Sequence, residues 1–152
     1  MSAIPTAKET NRADQPAKIF YAGKAHTTGG RDGGASKTDD GRLDIKLTFP
    51  GIPGTGTNPE QLFAAGWSAC FLTNLKIAGG KAKVKVSPES TVDAEVDLCS
   101  GDDGGFYLQA TLTVNLPDLD RKVAQSLIDV AHQNCPYSKA TRNNVKVVIT
   151  LL

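Results

Sequence analysis

The alternation of apolar and polar positions divides this chain into elements. Residues 19–28, "IFYAGKAHTT", alternate in part and carry aromatic and β-branched side chains, which predicts a strand. Residues 42–49 alternate cleanly through Leu43, Ile45, Leu47 and Phe49, a strand with one buried face. Between them, "GGRDGGASKTDDG" (29–41) is dense in Gly and Asp and predicts a loop. A Pro/Gly loop over 50–59 ends on Asn58 and Pro59, an N-cap and first-position signature that starts a helix over 59–78. Glu60 lies in the first turn, where the helix dipole favours negative charge. Gly79-Gly80 predicts its end. Alternation returns over 81–87, 91–98 and 106–116, which predicts three antiparallel strands. A stripe of Leu119, Val123, Leu127, Val130 and Ala131 predicts a second helix over 118–134, capped by Asp118 or Asp120 and limited by Pro136. A last strand covers 145–152. The sum is an α+β chain without internal repeats.

One element departs from the usual amphipathic pattern. The 59–78 helix is apolar round most of its circumference, through Leu62, Phe63, Ala65, Trp67, Phe71, Leu72, Leu75 and Ile77. Such a helix is a buried one. One sheet and one amphipathic helix cannot cover it on all sides, so a second copy of the chain is expected against it, in an intertwined homodimer.

Composition narrows the class. With 152 residues the chain fits one domain, expected over 19–152, behind a polar and mobile arm at 1–18 that lacks the apolar region of a secretory signal. A formal net charge of +1 gives no field that suggests nucleic acid or an anionic membrane. No apolar run approaches the roughly 20 residues of a membrane helix. A cytoplasmic location is expected. Three cysteines without an export signal argue against a structural disulfide framework, and favour reduced thiols or a transient, catalytic bridge.

The candidate chemistry centres on those thiols. Cys70 lies mid-helix among apolar neighbours, where burial raises a thiol's pKa, so a nucleophile there needs a cation. Free cysteine is also among the most buried residue types, and composition alone favours reading Cys70 as a small core residue. Cys135, at a helix C-terminus, is the poorer first nucleophile and is better suited to attack an oxidised partner. Cys99 reads as incidental. Arg31, among glycines, is either a solvated loop arginine or a guanidinium for a thiolate, and Glu60 could hold such an arginine bidentately. No cysteines lie at metal-ligand spacing, and His26 and His132 are far apart, so no metal is expected. His132 reads as a surface histidine. A cysteine hydrolase needs a histidine beside Cys70 and neither candidate is compelling. A redox-sensing or apolar-ligand-binding module is the other alternative.

These residues resemble a known family. "TGGRDG" (28–33), "LDIKL" (43–47), "TNPEQLFAAGWSACF" (57–71), "NCPYSKATRNN" (134–144) and the closing "VKVVITL" are similar, in order and spacing, to the organic hydroperoxide resistance proteins of the OsmC/Ohr superfamily. The resemblance implies an OsmC/Ohr-like fold: antiparallel sheets packed around long, largely buried helices in an intertwined homodimer with active sites at the subunit interface. It implies a thiol-dependent peroxidase that reduces alkyl and fatty-acid hydroperoxides to alcohols. Cys70 is then peroxidatic and Cys135 resolving. Arg31 activates the thiolate and orients the peroxide, and Glu60 orients Arg31. Leu62, Phe63, Trp67 and Phe71 are expected to wall the substrate pocket. No bound cofactor is implied, and the reductant is a dihydrolipoyl group (dihydrolipoamide) on a lipoylated protein. Trp67 stands where the family pattern has Tyr or another aromatic, and Cys99 lies outside that pattern.

Overall fold

A computed structural model describes residues 17–152. The expected arm lies almost wholly outside the described residues. Residues 17–24 form no strand, and Ile19, Phe20 and Tyr21 stand in solvent. The first strand is therefore shorter than its alternation suggests: β1 covers Ala25–Thr28. It pairs antiparallel with β2 (Ala35–Thr38), which pairs in turn with β3 (Asp44–Lys46). β2 lies inside the predicted loop. Its sequence, Ala-Ser-Lys-Thr, carries no large apolar side chain, so no alternation marks it. The glycines before it form a tight hairpin turn, with Gly29, Gly30 and Gly33 at positive φ.

The long helix α1 spans Pro59–Ala82. Asn58 caps it by accepting the Gln61 N–H at 2.9 Å. It runs through the Gly79-Gly80 pair expected to end it. Gly79 is buried, and a Cβ there would come within 2.6 Å of Val86 Cγ2 and 2.8 Å of the Val84 carbonyl. Its glycine serves close packing rather than termination. Lys83 ends the helix instead, in the left-handed region at φ 57°. The strand expected over 81–87 is absent: its start is helix, and the rest crosses back over Gly79.

β4 (Thr91–Ser100) and β5 (Phe106–Asn115) form a ten-residue antiparallel hairpin. α2 (Arg121–Asn134) follows, capped by the Asp120 carboxylate. After it, Pro136 opens a short helix, α3 (Pro136–Thr141), rather than ending the helical run. β6 (Lys146–Leu151) then joins β5 in parallel, across the α2–α3 crossover. The two sheets are ordered β1-β2-β3 and β4-β5-β6, antiparallel except for that last pairing.

The core lies where α1, α2 and the inner face of β4-β5-β6 meet. Trp67, Phe71 and Leu75 of α1 pack with Leu112 and Val114 of β5 and with Leu127 and Ile128 of α2. Full burial of each large side chain stabilises the fold by about 1.5–3 kcal/mol. Within one chain α1 is covered on one side only. Ala65, Ala69, Thr73 and Ile77, spaced every fourth residue, form an exposed stripe on the other. Among the described residues no helix is long and apolar enough to cross a membrane.

Candidate active site

Two clusters form at opposite ends of one stretch of α1. The first is at its start. Thr48 and Thr57 are tied by the Thr48 N–H donating to the Thr57 carbonyl at 2.9 Å, while the Thr57 N–H donates to the Lys46 carbonyl at 3.0 Å. These bonds fix the end of β3 beside the helix entrance and bring the β1–β2 turn over the first turn of α1. There Arg31 Nη2 donates to Glu60 Oε1 at 2.8 Å, and Nη1 to Glu60 Oε2 at 3.3 Å. Both forks of the guanidinium are engaged, which fixes its plane. Glu60 is buried and the arginine side chain is about one-third exposed. The pairing expected from the sequence is therefore present.

The second cluster lies near the middle of α1. Cys135 Sγ donates to Cys70 Sγ across 3.3 Å, and both are free thiols. Cys135 is fully buried at the elbow between α2 and α3, and Cys70 is half-buried. Desolvation pushes the Cys70 thiol above its ordinary range. The backbone N–H of Tyr137, in the first turn of α3, acts the other way by donating to the sulfur. Among the described residues no cation contributes to this balance. Glu60 and Cys70 are ten residues apart on one helix, about 15 Å of rise. Within a single chain, Arg31 and Cys70 therefore belong to separate clusters.

The expected pocket residues divide. Trp67 and Phe71 have no exposed surface and belong to the core. Leu62 and Phe63 are half-buried, and Phe63 meets Trp67 and Tyr137 edge-on at centroid distances of 5.6 Å. Gly66 lies against the Tyr137 ring, where a Cβ would meet the phenol oxygen. A separate open groove of about 580 Å³ runs between the start of α1 and β4, lined by Glu60, Gln61, Ala64 and Val96 among others.

His132 is not a free surface histidine. Its Nδ1 lies 3.0 Å from Ser138 Oγ, a fully buried hydroxyl that also accepts the Trp67 indole N–H at 3.4 Å. Desolvation, helped by the Arg142 guanidinium, lowers the His132 pKa. The ring is thus neutral at neutral pH and holds α2, α3 and α1 together beside Cys135. Among the described residues no histidine bonds to Cys70 or Cys135, and no group of three or more His, Cys, Asp or Glu could hold a metal. Sequence reasoning missed Ser138 and Tyr137 because the pattern around Pro136 reads as a helix end and not as the start of α3. It also missed Asn74, whose amide reaches Cys70.

The chain is similar to known proteins over most of its length. The sequence model of a family described as OsmC-like protein matches residues 52–150. An organic hydroperoxide resistance protein of Xanthomonas axonopodis pv. citri is 44% identical over 140 residues, 90% of this chain and 97% of that protein. The organic hydroperoxide resistance protein OhrB of Bacillus subtilis is 44% identical over 136 residues, 87% of this chain and 98% of its own length. The crystal structure of that OhrB superposes with a TM-score of 0.84 at 43% identity, covering 88% of this chain and all of its own.

Proposed function

This chain belongs to the OsmC-like protein family, among its organic hydroperoxide resistance proteins, and on that premise we propose that it is a thiol-dependent peroxidase for organic hydroperoxides. The 3.3 Å contact between two free thiols, one half-exposed and one buried, carries the reading. The Cys70 thiolate attacks the terminal peroxide oxygen. The O–O bond breaks, and the leaving alkoxide takes a proton to become an alcohol. Cys70 is left as a sulfenic acid. The Cys135 sulfur attacks the Cys70 sulfur, forming a disulfide, and its proton departs with the sulfenic oxygen as water. A dithiol reductant of the dihydrolipoyl type reopens the disulfide by exchange and becomes a cyclic disulfide itself. Phe63, edge-on to Tyr137, and the half-buried Leu62 would bury part of an alkyl chain and favour organic hydroperoxides over hydrogen peroxide. Purified protein should turn over cumene hydroperoxide with dihydrolipoamide. Failure to consume the peroxide beyond one equivalent with that reductant would count against the cycle.

The cation comes from a second copy of the chain. The bare stripe Ala65–Ala69–Thr73–Ile77 on α1 supports a homodimer in which two α1 helices pack together. Packed antiparallel, they bring the Arg31–Glu60 cluster of one protomer towards the Cys70 of the other, and the arginine there lowers the thiolate's pKa and orients the peroxide. Arg31→Ala should slow the reaction of Cys70 with peroxide by about tenfold or more at neutral pH, since one unit of pKa is worth a factor of ten in thiolate below the pKa. The sign is set by Cys70 itself. Its own chain raises its pKa, so without arginine the rate should keep climbing to higher pH, and with arginine it should level off earlier. Co-expressing Arg31→Ala with Cys70→Ser chains tests the assignment between subunits. Random pairing gives one complete site in half of the dimers, about a quarter of wild-type activity. No recovery would place arginine and cysteine in the same chain's site.

A further inference from the structure

Asparagine is a poor choice for the interior of a long helix, because its short amide competes for nearby backbone groups. α1 nevertheless carries Asn74 one turn beyond Cys70, half-buried. Its Nδ2 donates to the Cys70 carbonyl oxygen at 2.9 Å and lies 3.8 Å from Cys70 Sγ, within reach of a sulfur acceptor. An amide nitrogen carries two hydrogens. The carbonyl takes one, and that bond fixes the side chain so that the other is directed at the sulfur.

We propose that Asn74 is a catalytic residue, donating a hydrogen bond to the Cys70 thiolate. From its own chain the sulfur then has two N–H donors, the Tyr137 backbone and the Asn74 amide. Each favours the thiolate over the thiol, and together they oppose the desolvation that burial imposes. The groups that meet the sulfur make the amide matter: the α2–α3 elbow brings the Cys135 thiol and α3 brings the Tyr137 N–H, and His132, on α2, is neutral and bonded to Ser138. Among the described residues of the chain this leaves hydrogen bonds, rather than a cation, as the means of stabilising the anion. The importance of the thiolate rests on the peroxidase reading; its stabilisation by the amide does not.

The test uses a Cys99→Ser/Cys135→Ser background, in which Cys70 is the sole thiol and the serine replacing Cys135 keeps a small polar group beside it. Asn74→Ala should raise the midpoint of the Cys70 thiolate titration, followed by ultraviolet absorbance, by about half a unit to one unit, a long hydrogen bond to a charged acceptor. Alkylation by iodoacetamide at neutral pH should slow by about three- to tenfold in parallel. Alanine is the better helix former, so the melting temperature should hold or rise. Asn74→Leu, which keeps the branched heavy-atom shape and removes the donor, should move the midpoint in the same direction. Both variants leaving the midpoint in place, whatever the melting temperature does, would overturn the proposal and reduce Asn74 to a bond on the Cys70 carbonyl. A shifted midpoint, alongside a chain that keeps its native cysteines and still fails to turn over peroxide, would support the donor and sink the peroxidase reading instead.

Discussion

Cys70→Ser should bring consumption of cumene hydroperoxide down to the rate without enzyme, a loss of at least about a thousandfold on the scale typical for removal of a nucleophile. Sulfur is intrinsically nucleophilic towards peroxide oxygen, and a small thiolate fraction suffices for reaction. A hydroxyl in its place would need a base. The surroundings of residue 70 supply donors, the Cys135 thiol, the Tyr137 N–H and the Asn74 amide, and none of these takes a proton. The nearest imidazole, His132, is bonded to Ser138. The substitution is close in volume at a half-buried position, so the fold should survive and the loss should be chemical. Peroxide loss under saturating dihydrolipoamide is the measurement, with Cys99→Ser as control. Cys99 sits in β4 opposite Tyr107, outside both clusters, and its removal should leave turnover unchanged. Residual activity of Cys70→Ser above a few per cent of wild type would mean that another group carries the first oxidation.

Some of this arrangement is legible in the sequence and the rest is hidden, for physical reasons. α1 and α2 are readable because caps and turns are local: Asn58 and Asp120 each bond within three residues. The ten-residue hairpin is readable because β4 and β5 alternate along their length. β2 is hidden because Ala-Ser-Lys-Thr buries almost nothing. The false strand at 81–87 shows the same rule from the other side. Its alternating Val84 and Val86 do pack against the core, but as a return segment over Gly79. The site is legible as chemistry more than as geometry. Arg31 and Glu60 are 29 residues apart, and Cys70 and Cys135 are 65 apart. Periodicity says nothing about contacts at such separations, and the family resemblance supplied the pairings. It could not supply Asn74, which reaches the sulfur only because α1 is continuous and one helical turn brings its amide alongside.

Cys135→Ser should convert a catalyst into a reagent. One equivalent of hydroperoxide should be consumed per chain, at a rate close to that of the wild-type first step, and turnover should then stop. The first half follows from geometry. A serine in place of Cys135 still offers a hydrogen-bond donor to Cys70 and fits a fully buried site built for a small side chain. The second half follows from proximity. In the native protein Cys135 Sγ is already in van der Waals contact with Cys70 Sγ, so in the proposed cycle resolution is unimolecular and should outpace a second peroxide molecule. Without it the Cys70 sulfenic acid persists, and further peroxide should carry it to the irreversible sulfinic acid. Intact-protein mass spectrometry after stepwise peroxide addition should show one added oxygen and then two. The wild type should instead lose two hydrogens as its disulfide closes. Full multiple turnover of Cys135→Ser with dihydrolipoamide would mean that the reductant attacks the sulfenic acid directly, and would remove Cys135 from the cycle despite its position.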